Sequence, residues 1–290
     1  KLFADLFNRI KEQTPFFKKS QPISVMEFSK FIALSEKNQT DYLTQFAGGQ
    51  GGVKTWEYLK QAFAGQSGSS GNIHDLAHLV GGLIFEHDGF SSLGSCSPEF
   101  AFGCYHGFLD KAFANNLEHL QDAQSACSKL SVGNSGPVAS CIHGIGHGVA
   151  SFYQTVDLRK SLAACRKLTS GKDYCFDGVF MEYARNAPSS QFKKDDPLYP
   201  CNDLENNFGP IYSFACGRNQ PTLLMNRFNL QYQDVAKICI NAESNDFKMA
   251  CIDALGFIAA QSKTAEEIIK QCTTIEDTLL MSRCARAAAG

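Results

Sequence analysis

The residues with the most chemistry in them stand at Cys141-Ile142-His143-Gly144-Ile145-Gly146-His147-Gly148. Two histidines four apart share one helical face, about one turn from each other, near enough to share an ion. The same frame, Cys-x-(His or Asp)-Gly, recurs at Cys104-Tyr105-His106-Gly107 and at Cys175-Phe176-Asp177-Gly178. Aligned on the cysteine, the copies give a column: His106 with Asp110, His143 with His147, then Asp177 with Met181 and Glu182. The segment before Cys96 adds His74 and His78, another pair four apart. Of 7 histidines in the chain, five fall into this register, which is more than scatter explains easily.

Imidazoles with two or three carboxylates are the donor set of zinc, iron or copper, whereas calcium or magnesium selects oxygen almost exclusively. The expectation is one or two transition metal ions held by His74, His78, His106, Asp110, His143, His147 and Asp177. Glu182 and Glu86 are the candidate general bases. Hydrolysis by metal-bound water is the preferred reaction, ahead of oxygen-dependent oxidation. His87 reads as a group behind such a centre and His119 as surface. The competing account makes the histidines structural, with Asp177 and Asp253 as helix-start residues. Later copies of the frame carry Arg218 and Asp253 at the histidine position, so the frame itself does not demand histidine. Gly107, Gly144, Gly146, Gly148 and Gly178 either open the helix wall to a substrate or let helices pack closely.

The elements that would position this column repeat. One cysteine series runs Cys104, Cys141, Cys175, Cys216, Cys251, Cys284, and a second runs Cys127, Cys165, Cys201, Cys239, Cys272. The two alternate with a common period near 36 residues, and Ala126-Cys127-Ser128-Lys129-Leu130 is echoed by Ala164-Cys165-Arg166-Lys167-Leu168. A period of that size with two amphipathic segments is an α-helical hairpin repeat, so the fold class is all-α and α-solenoid-like. The first helix of each unit is expected to start at the Cys-x-x-Gly frame and the second to end around the other cysteine. Antiparallel succession puts the end of one unit beside the start of the next. Pairing across that junction uses every cysteine: Cys96–Cys104, Cys127–Cys141, Cys165–Cys175, Cys201–Cys216, Cys239–Cys251 and Cys272–Cys284. The rival scheme within each hairpin, beginning Cys104–Cys127, strands Cys96 and Cys284. Residues 71–290 form the cysteine-rich repeat domain and residues 1–70 an N-terminal helical cap.

In the cap, Leu2, Phe3, Leu6, Phe7 and Ile10 make an apolar stripe, and Ser24 can cap a helix carrying Val25, Phe28, Phe31 and Ile32. Further helices are expected around Tyr42–Phe46 and Val53–Phe63, then a Gly/Ser linker over 65–71 and a helix from Asn72 that stops at Gly89. Ala187 to Pro200 reads as a polar loop interrupting the third repeat.

Twelve cysteines without one C-x2-C spacing point to disulfides rather than zinc knuckles, and so to an extracytoplasmic compartment. A removed targeting segment or an N-terminal membrane anchor preceding residue 1 is expected. Net charge is −2 with scattered Lys and Arg, which argues against nucleic acid as a partner. There is no H-E-x-x-H helix, phosphate-binding glycine loop or G-x-S-x-G elbow. The partner is therefore a peptide or small-molecule substrate of a metal-dependent enzyme. The alternative is a solenoid binding module for a peptide or protein, with structural or metal-storing histidines.

Overall fold

A computed structural model describes residues 24–66, 72–130, 135–193, 195–261 and 264–289. The stripe Leu2–Ile10 and most of the Gly/Ser linker lie outside them. The described residues are helical, with no strand among them. Contacts group them into two compact units, one up to Cys104 and one from Tyr105 onward.

The first unit holds α1 (Phe28–Ile32), α2 (Glu36–Gln50), α3 (Gly52–Ala62) and α4 (Ile73–Asp88). Ser24 does not cap α1. The helix starts at Phe28, with Glu27 in extended backbone ahead of it and no side-chain cap. Ser35 does cap α2, accepting from the Asn38 amide, and left-handed Gly51 ends it. Gly51 and Gly89 (φ 88° and 76°) turn the chain where a Cβ would be strained. The core is aromatic: Phe31 stacks edge-on against Tyr58 and Phe63, and Trp56 is fully buried. Gly52 lets α3 touch α4, since a Cβ there would lie 2.3 Å from the Ile84 Cα.

The second unit is the repeat. Its long helices are α7 (Ser135–Phe152), α9 (Lys172–Asn186), α11 (Ser213–Phe228), α13 (Asn245–Ala259) and α15 (Thr278–Ala289), and each packs on the next. Short helices α6 (Leu120–Cys127), α8 (Leu158–Cys165), α10 (Cys201–Phe208), α12 (Tyr232–Asn241) and α14 (Ala265–Cys272) connect them. Helix α5 (Gly103–Phe113) spans the division between units. Asp157, Ser244 and Thr264 accept from backbone amides at the starts of α8, α13 and α14, and Thr264 forms a reciprocal capping box with Glu267.

Six disulfides join neighbouring helices, and all six follow the junction pairing. Each closes a loop of 8 to 15 residues, a constraint on the unfolded chain that contributes roughly 2–4 kcal/mol per bridge.

Two expectations need correction. The long helices do not start at the frame cysteine. They begin three to six residues earlier at α7, α9, α11, α13 and α15, so the cysteine falls in the first or second turn. Short helices α6, α8 and α14 end on their cysteine, but α10 begins on Cys201. Pro200 is the reason: a proline lacks the N–H that an interior helix position must donate and crowds the preceding turn, which disfavours a helix that ends on Cys201. The loop before it is anchored by buried Gln220 of α11, whose amide donates to the Pro197 and Tyr199 carbonyls at 2.7 and 3.1 Å.

Glycines in the frame set the helix spacing. A Cβ on Gly146 would sit 2.1 Å from the Cys175 carbonyl oxygen, and one on Gly178 would sit 2.0 Å from that of His143. Gly148 meets the Leu109 carbonyl in the same way at 2.6 Å. These positions are covered by neighbouring backbone, so close packing, not substrate access, is what they supply. The later repeats use the same device: Gly217 lies against the Phe247 carbonyl and Gly256 against that of Cys284.

Candidate metal centre

Helix α7 presents His143 and His147 one turn apart on the face that meets α5 and α9. Gly144 and Gly148 bring α5 in, and Gly146 brings in α9 through Gly178. The small residues thus decide that imidazoles from two helices and carboxylates from a third share one volume. His106 of α5 completes the group. Its ring lies 5.4 Å from that of His143 and 4.9 Å from that of His147, centroid to centroid. One nitrogen from each of His106, His143 and His147 falls within 4.8 Å of the others, a set that can hold a metal ion.

The orientation of the rings is informative. His143 Nδ1 is 3.0 Å from Asp177 Oδ2, and His147 Nδ1 is 2.9 Å from Glu182 Oε2. A carboxylate can only accept, so each Nδ1 carries a hydrogen and donates it. With both rings neutral each Nε2 presents a lone pair, and the two Nε2 atoms face each other at 3.1 Å. Two bare lone pairs at that distance repel; a shared proton or a metal cation between them reverses the sign. Tetrahedral ligation at Zn–N distances of about 2.0–2.1 Å puts two nitrogens about 3.3 Å apart. The observed separation suits a shared ion with little adjustment.

The carboxylates are themselves held. Asn219 donates from Nδ2 to Asp177 Oδ1 at 3.0 Å, with Arg218 at 3.7 Å from Oδ2, and Asn186 donates to Glu182 Oε1. Burial opposes both carboxylates. Their hydrogen bonds to His143 and His147, with the nearby arginines, outweigh it and hold both below the usual carboxylate range. Burial pushes the His147 imidazole below its ordinary range, against the pull of Glu182. A neutral imidazole with its Nδ1–H on a carboxylate is the tautomer a metal selects.

Asp110 lies one turn beyond His106 and accepts from the Ser151 hydroxyl at 3.0 Å. Burial, with the Glu182 charge nearby, raises its carboxyl to about 6. Asp177 and Asp253 are not helix-start residues: both lie inside their helices, and Asp253 pairs with Arg283 of α15.

In the first unit, His74 and His78 stand together on α4, ring centroids 4.7 Å apart. His74 Nδ1 donates to the Phe100 carbonyl at 2.9 Å. That carbonyl belongs to a left-handed turn of three non-glycine residues, Phe100, Ala101 and Phe102 (φ 57°, 52°, 63°), a costly conformation that packing must hold in place. Glu86 is exposed near the end of the same helix, and His87 is half-buried beside it. His119 is a surface residue paired with Asp122 at 3.2 Å.

The roles of Asn186, Asn219 and Ser151 escaped the sequence reading. Ser151 and Asn186 sit four residues after His147 and Glu182, so helical spacing alone was a usable signal for both. No protein-family model, curated protein or solved structure matches this chain.

Proposed function

We propose that this chain is an extracytoplasmic metal-dependent enzyme whose centre is the triad His106, His143 and His147. The observation that carries the reading is the pair of Nε2 atoms facing each other at 3.1 Å while both Nδ1 atoms donate to carboxylates. A hydrogen-bonded imidazole pair needs one donor and one acceptor; with both rings neutral and both Nδ1 hydrogens committed to carboxylates, a zinc, iron or copper ion takes the place a bridging proton would otherwise fill. Six disulfides support an oxidising compartment, and no described helix is long and apolar enough to cross a membrane.

Three protein nitrogens leave a coordination position free, which is the pattern of catalytic rather than structural sites. A structural ion would add little where disulfides already join the helices. A metal held by His106, His143 and His147 would supply an acidified water as the nucleophile for hydrolysis. Asp177 and Glu182 act behind the ligands, fixing the tautomer and ring direction. Asp110, one turn from His106, is the carboxyl available for proton exchange or as a further ligand, and His74 with His78 offers two more nitrogens in the first unit.

The test is hydrolysis of a panel of peptides and esters by protein loaded with zinc, iron or copper, beside a His143→Ala/His147→Ala variant. Turnover by the loaded wild type alone supports the enzyme. A loaded wild type that turns over none of them reduces the reading to metal binding.

A further inference from the structure

Three arginines of the second unit are engaged. Arg283 forms a close ion pair with Asp253 and donates to the Met249 carbonyl; Arg227 donates to the Ala184 and Arg185 carbonyls; Arg159 reaches Asp203 at 2.9 Å. Arg218 differs. It occupies the histidine position of the frame one repeat after Asp177, yet its Nη1 stops 3.7 Å from Asp177 Oδ2, beyond hydrogen-bond reach. His143 and Asn219 already serve both carboxylate oxygens, so Arg218 acts on Asp177 through its charge alone. The side chain is 39 % exposed, and its guanidinium lies 5.9 Å over the ring of Phe257, itself 48 % exposed. Among the described residues it has no hydrogen-bond acceptor. Arg185 is a second exposed guanidinium, three residues after Glu182, whose charge reaches Glu182 and His147. Each carboxylate behind the histidines therefore has an under-used guanidinium beside it.

A guanidinium presents five donors in a planar fork that matches a carboxylate or phosphate in two parallel hydrogen bonds. An apolar ring beneath it shields one face and strengthens such a contact. Resting on the metal-centre reading above, we infer that Arg218 receives an oxyanion group of the substrate, a carboxylate or a phosphate, next to the His106–His143–His147 centre. Phe257 is the apolar floor of that subsite. The substrate class is thus an anionic molecule, held by its charged group at Arg218 while another part of it faces the triad.

The experiment titrates inorganic phosphate and acetate into the zinc-loaded full chain by calorimetry, with zinc content measured in the same samples. Arg218→Gln is compared with wild type and with Arg286→Gln, an exposed arginine at the same frame position two repeats on. The expected result is a loss of about tenfold or more in oxyanion affinity for Arg218→Gln, unchanged zinc content, and wild-type behaviour for Arg286→Gln. Preference for phosphate or for acetate names the charged group. Equal affinity in wild type and Arg218→Gln overturns the inference, as does a zinc-loaded wild type that binds neither anion. Zinc lost along with the anion in Arg218→Gln also overturns it, showing that Arg218 acts only through Asp177. A wild type that takes up no zinc, iron or copper ends the metal-centre reading, and the inference falls with it.

Discussion

Helices α7 and α9 and helices α13 and α15 are built alike and finished differently. Both pairs carry the frame cysteine in a disulfide, Cys141 and Cys175 in one, Cys251 and Cys284 in the other. Both use a glycine five residues after the first cysteine to reach the next helix: Gly146 against the Cys175 carbonyl, Gly256 against that of Cys284. What differs is the polar column. In the first pair it is His143, His147, Asp177 and Glu182; in the second it is an ion pair between Asp253 and Arg283. The ion pair needs nothing more. The histidine set, with both rings neutral, leaves two lone pairs opposed. Since the same scaffold stands with an ordinary ion pair, the fold does not require the histidines, and their place in the molecule is better explained by a ligand.

That contrast can be broken in several ways. One pair of variants is Gly178→Ala and Gly256→Ala, which force a Cβ into backbone at 2.0 and 2.4 Å respectively. Both should destabilise by about 1–3 kcal/mol in denaturant unfolding. Only Gly178→Ala should also lower metal affinity, because it pushes α9 off the His143 carbonyl. Metal affinity that falls equally in both would mean the two pairs are not functionally distinct.

Removal of a disulfide comes next. Cys127→Ala/Cys141→Ala and Cys239→Ala/Cys251→Ala should each cost roughly 2–4 kcal/mol, measured by thermal or denaturant unfolding. The first should weaken metal binding, since Cys141 stands two residues before His143; the second should leave it intact. A smaller change is expected from the carboxylates. Asp177→Asn and Glu182→Gln should lower metal affinity about 10–100-fold in competition with a chromophoric chelator. Asp253→Asn should leave that affinity where it is and reduce stability only through its lost pair with Arg283. Identical affinities in all three variants would remove the role assigned to Asp177 and Glu182.

Much of this was legible in the sequence. The disulfide pairing was preferred from period and antiparallel succession, because the rival scheme within each hairpin strands Cys96 and Cys284, and all six bridges follow it. His143 and His147 were legible from a spacing of four, and His106 from the frame. The direction of Asp177 was not. Spacing places it in the column but cannot say which side of an imidazole it meets, and in the structure it meets Nδ1 of His143. Likewise the start of α10 at Cys201 depended on Pro200, a local backbone rule that overrode the repeat. The roles of the glycines were open because close packing and substrate access demand the same residue; only the carbonyls found 2.0–2.6 Å from the missing Cβ atoms separate them.

The central claim is that His106, His143 and His147 hold a metal ion. Its most direct test is elemental analysis by inductively coupled plasma mass spectrometry on protein purified without chelator or histidine tag, wild type beside His143→Ala/His147→Ala. Zinc, iron or copper at about one equivalent or more in the wild type, lost in a variant that still folds, is the predicted result. No metal in either protein after reconstitution, or equal metal in both, would contradict it.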